Sequence, residues 1–183
     1  MRFPTRNEVL VMRQRGYDVS TIREQEAKCY AAEAVRDAIE TAFAQTSLGS
    51  GVGLYEGQAI DGYADEATRR HERARDEVDN WRSIPNDRLR QCSSSLSFFD
   101  AEGMRFHLPA FLLAELQGEF GYNLMFHLAQ HTDYERYFGL LNEPQREAVR
   151  AFLLLVRDEP EYAMDYEHID RALIEFWSKK ADV

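Results

Sequence analysis

Hydrophobic residues recur at spacings of three and four along most of the chain, the pattern of helices that bury one face. The longest stripe predicts a helix from Thr21 to about Gln45. Capping boxes, in which a polar residue is followed three positions later by Glu or Gln, place helix starts at Thr5, Thr21 and Asn142. A further stripe after Asp165 predicts the last helix. Other helices are predicted over residues 64–81, 110–117 and 122–131.

Residues 96–108 break this pattern. The segment 104–108 reads Met-Arg-Phe-His-Leu, which alternates apolar and polar side chains with the period of a β-strand. An apolar run at 96–99 precedes it across a Gly-containing turn at 100–103, so the two segments predict an antiparallel hairpin. Pro109 suits the first turn of the helix that follows. The predicted fold is therefore mainly α with a small antiparallel β-hairpin, an α+β class.

No internal repeat, low-complexity tract or linker divides the 183 residues, so we predict a single compact domain over residues 1–183. In this prediction residues 1–20 form a helical extension and residues 21–180 form the core. Residues 46–62 hold five of the ten glycines and are predicted as the main loop. These glycines follow a helix and lack a Gly-Lys-Ser/Thr sequence, which favours turns over a phosphate-binding loop.

The charge balance narrows the classes of partner. The chain has 22 Lys and Arg against 32 Asp and Glu, a formal net charge of −10. Affinity for nucleic-acid phosphates and for anionic membrane surfaces comes mostly from Lys and Arg, so both kinds of partner are disfavoured. Residues 1–30 carry six basic and four acidic groups, whereas residues 157–183 carry four basic and eight acidic groups. A nucleic-acid site would therefore have to lie in residues 1–30.

The cysteines and the apolar runs indicate a soluble cytoplasmic protein. Cys29 and Cys92 lie far apart and outside any CxxC pattern, which argues against a zinc ribbon or a redox dithiol. No apolar run approaches the roughly 18 residues of a membrane helix. The first residues lack the hydrophobic stretch of a signal peptide. We expect no cofactor.

Two strings of the sequence resemble the signature of a known family. They are LSFFDAEGMRFHLPAFL (Leu96–Leu112) and LNEPQREAVRAFL (Leu141–Leu153). Both are similar to the pattern of an uncharacterised bacterial domain family, and the resemblance covers about residues 31–180. It implies a single domain in a bacterial protein. The family has no assigned function, so the resemblance implies no reaction and no site residues.

One group of titratable residues is a candidate site for acid–base chemistry. Glu56 and Asp61 lie at the end of the glycine-rich segment, Asp76 follows on the next helix, and Arg105 and His107 share the polar face of the predicted hairpin. If the loop and the helix fold over that face, these groups converge, and titratable groups in a shared cleft drive each other's pKa values apart. The structural alternative is that Arg105 pairs with Asp76 or its neighbour and joins the hairpin to the helix.

A second candidate site is a pair of histidines. His127 and His131 lie four residues apart on a predicted helix, a spacing that suits two metal ligands. The zincin pattern needs Glu beside the first His, and Leu128 stands there, so no general base is present. The alternative is two surface or half-buried histidines on a partly apolar helix.

These observations leave three functional hypotheses. The absence of a catalytic motif and the acidic charge favour a non-enzymatic module of the bacterial cytoplasm that binds a basic protein partner. The alternative is a small enzyme that uses the carboxylate, Arg and His group beside the hairpin. The third is DNA binding through residues 11–23, where Gly16 and the Ser-Thr-Ile at 20–22 resemble the turn of a helix-turn-helix.

Overall fold

The computed structural model describes residues 2–122, 124–130 and 132–179. Their regular structure is entirely helical, with 68% of positions in helices and 0% in β-strands. The prediction of an α+β fold with a β-hairpin is therefore wrong. The α-helices are, in chain order, α1 (Arg6–Gln14), α2 (Val19–Ala42), α3 (Leu54–Asp61), α4 (Glu66–Arg73), α5 (Asn86–Gln91), α6 (Ala101–Leu116), α7 (Leu124–Ala129), α8 (Tyr134–Phe138), α9 (Glu143–Arg157) and α10 (Tyr166–Ala172). Short 3-10 turns lie at Trp81–Ser83, Ser93–Ser97 and Pro160–Tyr162, and a π-helical turn at Leu173–Trp177 continues α10.

Side-chain caps start several helices close to where the sequence predicts. A capping box at Thr5 starts α1, and another at Asn142 starts α9. α2 begins slightly before its predicted start because Asp18 caps it, accepting from the backbone N–H of Thr21 at 2.8 Å. A cap of this kind stabilises a helix by about 1 kcal/mol. The helix starts predicted at Thr5 and Asn142 are thus confirmed.

The predicted hairpin is replaced by a 3-10 turn and α6. Asp100 caps α6 by accepting from the backbone N–H of Gly103 at 2.8 Å, so the predicted hairpin turn is a helix N-terminus. Pro109 lies inside α6 and not in a first turn. Twelve of the sixteen residues of α6 are buried. A helix buried on nearly all sides carries no polar stripe, so its period cannot be told from that of a strand.

The hydrophobic core forms around α6. α2 packs against α9 and α6, and α5 and the 3-10 turn at Trp81–Ser83 also pack on α6. Phe3, from the segment before α1, belongs to the same core. Large side chains buried in it include Ile39, Phe43, Trp81, Phe106, Phe111, Phe138, Phe152 and Trp177. Among the described helices, none is both long and apolar enough to cross a membrane.

The glycine-rich segment touches the start of α6 through its backbone. A Cβ on Gly51 would lie 2.5 Å from the backbone N of Gly103, and a Cβ on Gly103 would lie 2.3 Å from the carbonyl oxygen of Val52. Asp100 Oδ1, which caps α6, also accepts from the N–H of Val52 at 3.0 Å. These glycines therefore allow two stretches of backbone to meet, a structural role that fits the turn interpretation.

Two element boundaries in this region differ from the prediction. The predicted loop at 46–62 contains α3, and the helix predicted over 64–81 is the shorter α4. Asp76 accounts for the unpredicted helix because its carboxylate caps α3, accepting from Tyr55 N at 2.7 Å and from Glu56 N at 3.3 Å. A cap supplied from 21 residues away leaves no local signal in the sequence.

Candidate functional site

Arg105 and His107, predicted to share one face, lie on different sides of α6. In a β-strand, side chains two residues apart point to the same face, whereas on an α-helix they are rotated by about 200° around the helix axis. Arg105 is half-buried and lines a cavity of about 210 Å³ between the end of α2 and the start of α9. Asp76 and Glu77 accept hydrogen bonds from backbone N–H groups. Among the described residues, neither of these two carboxylates is paired with Arg105.

His107 is completely buried, with one ring nitrogen satisfied and the other free. Nδ1 lies 2.8 Å from the carbonyl oxygen of Gly103, one turn earlier on α6, so Nδ1 carries the proton and donates it. The ring stacks on Phe99 with 4.5 Å between ring centroids and meets Phe106 edge-on. Burial lowers the pKa of His107 from 6.5 to about 4, which keeps the ring neutral at pH 7. Nε2 therefore presents a lone pair, and no described residue donates to it.

A cavity of about 140 Å³ opens beside this ring. His107 is among the residues that line this cavity, although its ring is fully buried. An engineered cavity of about 150 Å³ in another protein holds benzene, so the space suits a molecule of about six or seven non-hydrogen atoms. The wall combines apolar side chains (Leu54, Ile84, Pro85) with polar and aromatic ones (Tyr55, Arg75, Asp76, Glu77, Ser83, Arg88).

Asp76 is the second predicted site residue at this cavity. It is partly buried, and burial raises the pKa of its carboxyl even though two backbone N–H donors act in the opposite direction. A Cβ on Gly53 would lie 1.9 Å from Asp76 Oδ2, so only glycine lets this carboxylate reach the start of α3. Glu56 is instead paired with Arg73, with 3.6 Å between Oε2 and Nε, and Asp61 lies at the far end of α3. The structure thus brings Asp76 and His107, but not Glu56, Asp61 or Arg105, to one cavity.

Two arginines add positive charge to the cavity wall. Arg75 and Arg88 place their guanidinium groups over the ring of Tyr55, at 4.4 and 6.0 Å from its centroid. Arg75 is paired with Glu72 one turn away. Arg88 donates to the side-chain oxygen of Gln91 at 3.0 Å and forms no ion pair with any described carboxylate. Arg88 is therefore the uncompensated positive charge of this site.

Sequence reasoning misses three residues of this wall: Tyr55, Arg75 and Arg88. Tyr55 lies in the segment predicted as a loop, and Arg88 lies on α5, which the sequence analysis does not predict. The available signal is Pro85, which precedes α5 and is placed where proline favours the start of a helix. A helix that begins after Pro85 has Arg88 in its first turn.

The structure describes only one residue of the predicted histidine pair. His127 is buried on α7, and His131 lies outside the described residues. Within the described ranges, no group of three or more His, Cys, Asp or Glu residues could hold a metal ion. The metal site at His127 and His131 stays a prediction.

Comparison with family models gives a match that covers most of the chain. Residues 31–181 match the model of a family described as a family of unknown function (DUF6714), which confirms the resemblance expected for residues 31–180. The matched segment contains α3, α5, α6 and the cavity beside His107. No curated protein and no solved structure matches the chain.

Proposed function

The chain belongs to DUF6714, a family of unknown function, and we propose that it binds a small polar molecule in the cavity beside His107. The bound molecule donates a hydrogen bond to His107 Nε2. The observation that carries this proposal is a fully buried histidine that lines a cavity and whose Nε2 has no hydrogen-bond partner among the described residues. Leaving a buried acceptor unsatisfied costs about 1–3 kcal/mol, and a donating ligand recovers that free energy.

The environment of His107 supports binding because the acceptor is held in place before a ligand arrives. The hydrogen bond to Gly103 fixes the tautomer, and the stack on Phe99 fixes the plane of the ring. Small-molecule sites combine an apolar wall with a few fixed polar groups, which is the composition of this cavity. A neutral histidine accepts a hydrogen bond without the cost of a buried charge.

Binding is favoured over the predicted acid–base chemistry. Each oxygen of Asp76 already accepts a backbone N–H of α3, so this carboxylate serves first as a helix cap. Arg105, which the enzyme hypothesis also required, lines a separate cavity. The remaining groups of the wall are suited to recognition, since they offer an acceptor, a carboxylate and a guanidinium.

The proposal predicts that phenol binds and that fluorobenzene, which has the same size but no O–H donor, does not bind at Nε2. The measurement is a long-range ¹H–¹⁵N spectrum of the histidine side chains, in which phenol is expected to shift the His107 Nε2 resonance in a saturable way. His107→Phe should abolish phenol binding, and His71→Phe, on the exposed face of α4, should not. If Nε2 does not respond to phenol, or responds equally to fluorobenzene, the proposal is wrong.

A second candidate function, binding of a basic protein partner, is favoured by a groove of about 620 Å³ lined by residues 157–168. Asp158 and Glu167 line it, and they carry no ion pair among the described residues. Met164 is 91% exposed and Tyr166 is 41% exposed, so apolar side chains lie between the acidic ones. Exposed apolar groups rimmed by charge are typical of interaction surfaces. This combination suits a Lys- or Arg-rich segment that also presents an apolar side chain.

We expect a labelled Lys-Leu repeat peptide to bind the chain more tightly than a Lys-Gly repeat of equal charge. Fluorescence anisotropy against salt concentration measures this difference, since attraction between exposed charges is screened within about 10 Å at 0.1 M salt. Asp158→Asn with Glu167→Gln should weaken binding of the Lys-Leu peptide roughly tenfold. The matched control, Asp37→Asn with Asp87→Asn, removes two exposed charges outside the groove. Equal losses in the two double variants would show that only the overall charge matters and would exclude the groove.

A further inference from the structure

The balance of charge around the cavity points to a class of ligand, and this inference rests on the proposed function. We propose that the molecule bound beside His107 is a small zwitterionic amino acid, with its ammonium group at His107 Nε2 and Asp76 and its carboxylate at Arg88. A ligand with both charges satisfies an acceptor, an anion and a cation that the wall presents together.

The ammonium end fits the acceptors of the cavity. His107 Nε2 offers one lone pair and has no partner among the described residues. Each oxygen of Asp76 accepts a single backbone N–H, at 2.7 and 3.3 Å, and a carboxylate oxygen can accept more than one hydrogen bond. An ammonium group has three N–H donors and no acceptor, so it has enough donors for both residues. A hydroxyl group has one donor and can bond only one of them.

The carboxylate end fits Arg88. A guanidinium has five N–H donors in a planar fork that matches a carboxylate. Arg88 uses one of its nitrogens on Gln91 and has no ion pair with a described carboxylate, whereas Arg75 is already paired with Glu72. The face of Tyr55, 6.0 Å from the Arg88 guanidinium, provides a partly apolar surface beside the charged pair. Arg88 is therefore the group free to hold an anion.

The second carboxylate of the wall belongs to Glu77, and its oxygens already accept hydrogen bonds from other residues. Glu77 Oε1 accepts the backbone N–H groups of Val78, Asp79 and Asn80 at 3.0–3.1 Å, and its Oε2 accepts the hydroxyl of Ser83 at 2.8 Å. These four donors offset its charge. The volume of the cavity matches a ligand of about six or seven non-hydrogen atoms, which is the size of alanine and serine, and favours amino acids with short side chains.

Four small probes test the ligand class by isothermal calorimetry on the full chain: L-alanine and lactate, which have the same size, and the smaller propionate and ethylamine. Alanine should bind at least tenfold more tightly than lactate, which has a hydroxyl in place of the ammonium group, and propionate and ethylamine should bind more weakly still. Arg88→Gln should weaken alanine binding about tenfold. Arg70→Gln, an equal change of charge on the exposed face of α4, should leave alanine binding unchanged.

The outcomes separate this inference from the proposed function. If phenol shifts His107 Nε2 but alanine binds no better than lactate or propionate, the ligand class is wrong and the cavity still binds a donor. If alanine binds but Arg88→Gln has no effect, the assignment of the carboxylate end is wrong. If neither phenol nor alanine moves the Nε2 resonance of the wild-type chain, both proposals fail. Because the first and third of these readings use only the wild-type protein, they hold even if a variant does not fold.

Discussion

Lowering the pH from 7 to 4 is expected to reduce the free energy of unfolding by about 3 kcal/mol through His107 alone, and about 2 kcal/mol of this should be lost by pH 5. The pKa of His107 is about 4 in the folded chain, against 6.5 for an exposed histidine. Between these values the unfolded chain binds the proton and the folded chain does not. Stability therefore rises with pH across this window and is lost as the pH falls. The cause is burial, since a charged imidazolium would lose its hydration in the core.

Urea unfolding of the wild type and of His107→Phe at several pH values isolates this contribution. Other groups titrate in both proteins, including Asp76, whose raised pKa acts in the opposite direction and favours the folded chain at low pH. The difference between the two proteins should therefore change by about 3 kcal/mol between pH 7 and pH 4. A difference that stays constant over this range would mean that His107 is not buried as described. If His107→Phe does not fold, the ring nitrogens of wild-type His107 should still remain neutral down to about pH 4 by NMR.

Gly103→Ala is expected to destabilise the chain by about 3 kcal/mol or more. The new Cβ would lie 2.3 Å from the carbonyl oxygen of Val52, and the obstructing atom belongs to the backbone, which cannot rotate away like the end of a side chain. The glycine-rich segment must then separate from α6, which breaks the hydrogen bond from Val52 N to Asp100. The same shift should change the position of the His107 ring, because His107 Nδ1 donates a hydrogen bond to Gly103 O.

Thermal and urea unfolding of Gly103→Ala measure the loss, with Gly62→Ala as the matched control. A Cβ on Gly62 would meet its nearest atoms at 3.6 and 3.7 Å, which is ordinary van der Waals contact. Its φ of −77° is open to any residue, so alanine there should leave stability unchanged or raise it by about 0.4–1 kcal/mol. Equal stabilities for the two variants would show that the segment yields easily and does not hold α6.

Local signals predict the helices whose caps lie beside them in sequence. The boxes at Thr5 and Asn142 act within three residues of the helix start, so reading the sequence finds α1 and α9. α3 is missed because Asp76 caps it from a distant part of the chain. The first half of α6 is mistaken for a turn and a strand because burial on nearly all sides removes the polar stripe that marks a helix. Both failures have the same cause, which is that tertiary contacts replace the local pattern.

The residues of the candidate site are also predicted only in part from the sequence. Sequence reasoning groups Asp76 with His107 by charge and by the assumption that neighbouring segments fold together, and both residues do line one cavity. It also includes Arg105, since a strand would place Arg105 on the face of His107. Once the segment is a helix, Arg105 faces another cavity and the positive charge comes from Arg88. The secondary structure assigned to five residues, 104–108, therefore decides which cation belongs to the site.

Hydrogen bonds that meet at Gly103 link the glycine-rich segment to the ring of His107. Val52 N and Gly103 N share Asp100 Oδ1, and Gly103 O in turn holds His107 Nδ1. We therefore expect a displacement of the glycine-rich segment to change, through α6, the direction in which Nε2 points. Conversely, a molecule that restrains the imidazole also restrains this segment. The order of the segment around Val52 and the orientation of the His107 ring are thus expected to depend on each other.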